Sequence, residues 1–170
     1  MANTYTLIAS STVSSGGGAA YIEFTSIPAT YTDLKLVVSL RNSANNVYNQ
    51  IYFNSDTTNS NYRYRDIYGT GSAAGSSNYS IPYGPVTSRS SYTNNVFGNA
   101  DIYIPNYLSS NYKSALIDGV SENNSTEAYS NLAGLLWQNT AAITSIKLVP
   151  DGAGNWDQYS TAYLYGIKNS

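Results

Sequence analysis

Carboxylates are the first place to look for acid–base chemistry in this 170-residue chain, because it contains no histidine and no cysteine. Without histidine there is no side chain that ordinarily titrates near neutral pH, and the commonest nitrogen ligand for metals is missing. Without cysteine there are no disulfides, thiolate nucleophiles or sulfur metal sites. Ser-His-Asp and Cys-His catalysis are therefore closed to it. Two carboxylates could still cleave a glycosidic bond, and Glu23, Asp101, Glu122 and Glu127 are available. Their spacing sets no two of them at a usable separation. Glu23 also alternates with Ile22 and Phe24, as a residue on a solvated strand face does. The chain reads as a non-enzyme.

Oxygen ligands for calcium occur in two loop-like stretches: Asp151, Asn155 and Asp157 in DGAGNWD, and Asp56, Asn59 and Asn61 in DTTNSN. Neither has the alternate-position spacing of an EF-hand loop, and Asp, Asn and Gly are what ordinary turns require. The reading is therefore of turns, with no metal or cofactor.

The stretch NYRYRDIY interleaves aromatic and basic residues. A strand would put Tyr62 and Tyr64 on one face and Arg63 and Arg65 on the other, where the arginines could reach solvent or the carboxylates of a partner. Trp137 follows Leu132, Leu135 and Leu136 and reads as core. Trp156 lies in a turn-rich loop, where an exposed indole is costly unless it packs or binds something. Tyr62, Arg63, Tyr64, Arg65 and Trp156 are thus the candidate contact residues. The sequons at Asn78, Asn123 and Asn124 are expected by chance in an Asn- and Ser-rich chain.

Charge is sparse: eight Lys and Arg against ten Asp and Glu, a net of −2, with 11% charged residues. No basic run marks a nucleic-acid surface. No apolar stretch reaches the ~20 residues of a membrane helix, and no signal-peptide pattern opens the chain, so it is expected to be soluble and complete as written. Eighteen tyrosines against three phenylalanines favour strands and interfaces over deep core.

The elements that must position these residues are strands. In residues 33–41, Leu34, Leu36, Val38 and Leu40 fall on one face, and Asp33, Lys35, Ser39 and Arg41 on the other, which predicts one buried and one wet side. Similar alternation predicts strands over 5–13, 20–26, 50–54, 61–68, 95–104, 113–121, 128–138, 143–149 and 158–167. The best helical stretch, 130–138, is interrupted by Gly134. The SSGGG run at 14–18 predicts a hairpin link between the first two strands, 70–78 a loop with little to bury, and DGAGN at 151–155 a turn before the last strand. Ile27-Pro28 predicts the corner by which the chain enters the strand at 33. The expectation is one all-β domain, residues 1–170, an antiparallel β-sandwich or jelly roll of roughly ten short strands, with a short flexible segment at 1–4.

The stretches FTSIPATYTDLKLVVSLR, ENNSTEAY, NTAAITSIKLVP and YSTAYLYGI resemble small virion structural proteins of tailed bacteriophages, of the cyanophage type. The resemblance runs over most of the length and carries no catalytic signature. It implies a β-sandwich or jelly-roll protein of the particle: a capsid decoration, or cement, protein bound to the major capsid protein, located on the virion. A homo-oligomer goes with that role, a trimer before a dimer, with no nucleic acid or membrane as partner. The alternative within the same resemblance is a tail-tip or fibre-head module recognising host glycans through loops at 42–49, 70–78 and 152–156.

Overall fold

The computed structural model describes residues 4–16, 18–123 and 127–168. Eleven strands form two antiparallel sheets: β1 (Tyr5–Thr12), β2 (Ile22–Phe24), β3 (Asp33–Leu40), β4 (Asn49–Phe53), β5 (Tyr62–Gly69), β6 (Ala74–Tyr79), β7 (Gly98–Ile104), β8 (Lys113–Glu122), β9 (Ala128–Trp137), β10 (Ile146–Pro150) and β11 (Thr161–Ile167). The large sheet has the order β1-β11-β3-β7-β8-β9-β5-β6, and the small one β2-β10-β4. Among the described residues the only helical element is a single 3₁₀ turn, Asn59–Asn61. The fold is an all-β, sandwich-like arrangement.

Alternation explains the layers. Leu34, Leu36, Val38 and Leu40 of β3 are buried, as are Ile102 and Ile104 of β7, Ile117 of β8, and Leu135 and Trp137 of β9. They pack with Ile51, Phe53, Ile146 and Leu148 from the small sheet into one core. Burying such side chains stabilises the fold by about 1.5–3 kcal/mol each before conformational entropy is counted. The stretch 130–138 with its leucines is strand, because Leu135 and Trp137 face the core while Leu132 and Gly134 face out, a period of two.

Three strands cannot cover the inner face of eight. Loop residues such as Ile27, Tyr107, Ile143 and Trp156 add to the core, and the small sheet is extended by segment 82–88, nearly all of it buried. It runs along the free edge of β4. Ile51 N donates to the Pro82 carbonyl (2.8 Å), Gly84 N to that of Asn49 (2.9 Å) and Thr87 N to that of Val47 (2.9 Å). Pro82 and Pro85 lack the donors a regular ladder needs, so the segment stays irregular. Its end crosses so close to β7 that a Cβ at Gly98 would lie 2.8 Å from Thr87 Cα, and only glycine fits there.

Three expectations are corrected. The SSGGG run does not close a hairpin: β1 and β2 belong to different sheets, so the link carries the chain from one layer to the other. Residue 17 of that run and residues 1–3 of the N-terminal segment lie outside the described residues. The region 70–78 is not a loop throughout. A turn closed by Thr70 N on the Ala73 carbonyl (2.8 Å) leads into β6, which β5 pairs with despite its lack of an apolar repeat. Asp33 and Arg41, assigned to the wet face of β3, are buried by neighbouring loops. Asp33 accepts the Tyr103 hydroxyl (2.7 Å) and Asn106 N (2.8 Å).

Candidate functional site

The sequence-derived contact residues divide by strand parity. Tyr62, Tyr64 and Trp156 have no exposed surface. Tyr62 donates to the Asp56 carbonyl (3.0 Å), and Tyr64 donates to Asp66 Oδ2 (3.1 Å). Desolvation, with Asp66 beside Tyr64 as a further cause, pushes both phenols well above their ordinary value. Trp156 donates its indole N–H to the Leu148 carbonyl (3.1 Å) and exchanges two backbone hydrogen bonds with Ala19, so it packs within its own fold. Of the five, only Arg63 and Arg65 reach solvent. Arg63 donates to the Ser60 carbonyl (2.9 Å) and Arg65 to Asn78 Oδ1.

The oxygen-ligand stretches are spoken for by the fold. Asp56 accepts Thr58 N (3.0 Å), Asn61 Nδ2 (2.9 Å) and the Trp137 indole (2.8 Å). Partial burial works against its charge, but those hydrogen bonds outweigh it and hold the carboxyl below its ordinary 3.8. Asp151 accepts Asn46 Nδ2 (3.0 Å), and Asp157 pairs with Arg41 Nε (3.1 Å). Glu23 lies 3.8 Å from Lys147, and Glu127 pairs with Arg89 at 3.0 Å. Among the described residues no three acidic side chains gather as a metal site would require. Of the sequon residues, 124–126 lie outside the described residues.

What the strand pattern did not mark is the outer face of the large sheet. One row across it reads Tyr163, Val37, Asp101, Asp118, Leu132, Ile67. The next reads Tyr165, Lys35, Tyr103, Leu116, Gly134, Arg65. Ile67 is 61% exposed, Leu116 50%, Val120 47% and Leu132 46%, an apolar patch on a face that also carries Lys35, Arg65, Asp101 and Asp118. Gly134 leaves a gap beside Leu116, and a shallow trough of about 450 Å³ runs over Val37, Asp101, Asp118 and Val120.

Charge on this face is unevenly satisfied. Lys35 Nζ lies 2.7 Å from Asp101, and that hydrogen bond is the main cause raising the lysine above its ordinary 10.5. Asp118, exposed at the centre of the face, has no protein partner among the described residues. The face can therefore offer apolar contact around one uncommitted negative charge. Sequence reasoning missed it because β8 alternates Ala115 and Ile117 with Leu116 and Val120, apolar on both sides. Comparison with known protein families, curated proteins and solved structures finds no match to this chain.

Proposed function

We propose that this chain is a structural protein of a tailed-phage particle, a capsid decoration protein that docks on the major capsid protein through the outer face of its large sheet. The observation that carries the reading is the half-exposed cluster of Ile67, Leu116, Val120 and Leu132 around Asp118. A partner covering those four side chains would gain about 1 kcal/mol from each, half of full burial. A modest contact of this kind suits a lattice, where repetition multiplies a weak interface. The resemblance of the quoted stretches to virion structural proteins supports the same reading. The partner surface must be apolar with a basic residue set to meet Asp118, since a buried unpaired carboxylate would cost more than the apolar contact returns.

The test is co-sedimentation of the purified protein with capsids of its own particle assembled without it. Saturable binding that is lost in Leu132→Glu, with the melting temperature retained, is the expected result. Absence of binding, or recovery of the protein only at the tail tip of intact particles, would overturn it.

A further inference from the structure

At the end of the large sheet, where β3 stops and β7 and β11 begin, a hollow of about 640 Å³ opens between two turns of the same construction. In the first, Val96 N donates to the Thr93 carbonyl (3.3 Å), and Asn95, at the third position, has φ 65°. In the second, Ser160 N donates to the Asp157 carbonyl (3.0 Å), and Tyr159, again third, has φ 71°. Glycine is the usual residue at such a position and asparagine is tolerated. A tyrosine is neither. Its ring is nonetheless held in solvent, 67% exposed, the most exposed of the large hydrophobic side chains among the described residues. Backbone strain that keeps an aromatic ring in water is the kind of local cost that accompanies a binding site.

Both turns hang on one side chain. Arg41 Nη1 donates to the Thr93 and Val96 carbonyls (3.0 Å each), Nη2 to those of Tyr92 (3.2 Å) and Ser90 (3.5 Å), and Nε lies 3.1 Å from Asp157 Oδ2. All five N–H groups of the guanidinium are thereby used. Arg41 sets the two walls and fixes the Asp157 carboxylate, but it keeps no free donor for an anion. Asp157 retains a second oxygen with no protein partner, and the amides of Asn94, Asn95 and Gln158 bond to no other group among the described residues. The hollow thus offers the exposed Tyr159 ring with half-buried Phe97 also in its lining, a positioned carboxylate, three amides and no uncommitted cation.

We propose that this hollow binds a neutral saccharide, with a pyranose ring stacked on Tyr159 and its hydroxyls held by Asp157, Gln158, Asn94 and Asn95. An aromatic ring matches the C–H face of a sugar, and carboxylate and amide groups pair with vicinal hydroxyls as donors and acceptors. Sialylated, sulfated or phosphorylated glycans need a free cation, which the spent Arg41 does not supply. The site lies on loops at the sheet's end, so it stands or falls independently of docking by the sheet face.

Saturation-transfer difference NMR on the full chain tests it, with maltotriose, cellotriose, chitotriose and lactose as neutral probes and sialyllactose as the charged one. Transfer to at least one neutral probe and none to sialyllactose is expected. Tyr159→Phe should keep binding within about threefold, while Tyr159→Ala should weaken it by about tenfold or more. Tyr159→Gly relieves the backbone strain, so it should remain folded yet lose the sugar. No transfer to any neutral probe, a preference for sialyllactose, or full binding by Tyr159→Gly would each overturn the proposal.

Discussion

Asp101 and Asp118 stand directly opposite one another across β7 and β8 on the outer face of the large sheet, and Lys35 neutralises only the first. Like charges placed directly across a strand pair destabilise it. Asp118 therefore sits where the isolated chain gains nothing from it, surrounded by Leu116, Val120 and Leu132. A partner's cation would turn that local cost into selectivity, favouring surfaces that bring one and rejecting those that do not.

Replacing Asp118 by asparagine should stabilise the isolated protein while weakening docking. Relief of one cross-strand repulsion is worth about 0.5 kcal/mol, or about 1–2 °C in melting temperature for a chain of this size. Calorimetry on Asp118→Asn beside capsid co-sedimentation reads both effects. A melting temperature that falls would show that Asp118 has a stabilising role within the fold.

Asp56 should govern acid stability. Its carboxylate holds Asn61 and the Trp137 indole, and its pKa lies below the ordinary 3.8. A carboxyl with a depressed folded pKa contributes stability above its unfolded value and loses it as pH falls through the folded one. The loss belongs below about pH 4, and Asp56→Ala, which leaves the buried indole N–H unpaired, should cost about 1–2 kcal/mol at pH 7. Urea unfolding of both proteins at pH 7 and pH 3 should find the gap between them narrower at the lower pH.

At the alkaline end tyrosines decide. Burial, the largest cause in each case, pushes Tyr62, Tyr64 and Tyr129 above their ordinary 10.0. The unfolded chain releases these protons near pH 10 and the folded chain holds them, so their contribution is complete below pH 10 and declines as pH rises beyond it. Tyr48, Tyr52, Tyr83, Tyr92, Tyr103, Tyr107 and Lys35 are raised as well, and only Lys113, whose ammonium is lowered from 10.5 by desolvation, titrates in the opposite sense. Melting temperature should fall steeply above about pH 10, and Tyr64→Phe should reduce the slope by one proton, about 1.4 kcal/mol per pH unit. An unchanged slope in that variant would contradict the assignment.

Gly98→Ala should be among the most damaging small substitutions. The added methyl would meet Thr87 Cα at 2.8 Å and Ser88 N at 2.9 Å, which are backbone atoms unable to rotate away. The expected cost is about 2 kcal/mol or more. Gly134→Ala, on the open outer face with nothing within 4 Å, is the matched control and should cost little. Denaturant midpoints of the pair check this.

How much of this was legible varies by element. β3 could be read directly because Leu34, Leu36, Val38 and Leu40 repeat at the strand period and nothing competes with that pattern. β6 could not, since AGSSNY has no apolar repeat and is a strand only because β5 offers it a partner. Segment 82–88 was hidden for the opposite reason: it is buried, but its two prolines read as loop. Tyr62 and Tyr64 were correctly assigned to one face of a strand, yet parity alone does not tell which face meets the core. The hollow at Arg41 was out of reach because its walls come from turns more than 50 positions from that arginine, and the 93–96 turn is joined to it through carbonyl oxygens that carry no side-chain identity.

Segment 82–88 has a consequence for crowding. A sheet edge with free N–H and C=O groups invites a strand from the next molecule, and a protein held in many copies at close quarters is the worst placed to expose one. Here the free edge of β4 is closed by a strip carrying Pro82 and Pro85, and the opposite edge of the small sheet, β2, is only three residues long. The large sheet ends in β1, whose register shifts between Leu7 and Ala9, and in β6, which carries no branched aliphatic side chain. Among the described residues each border is short, kinked, covered or weakly strand-forming, which disfavours edge-to-edge pairing between separate copies.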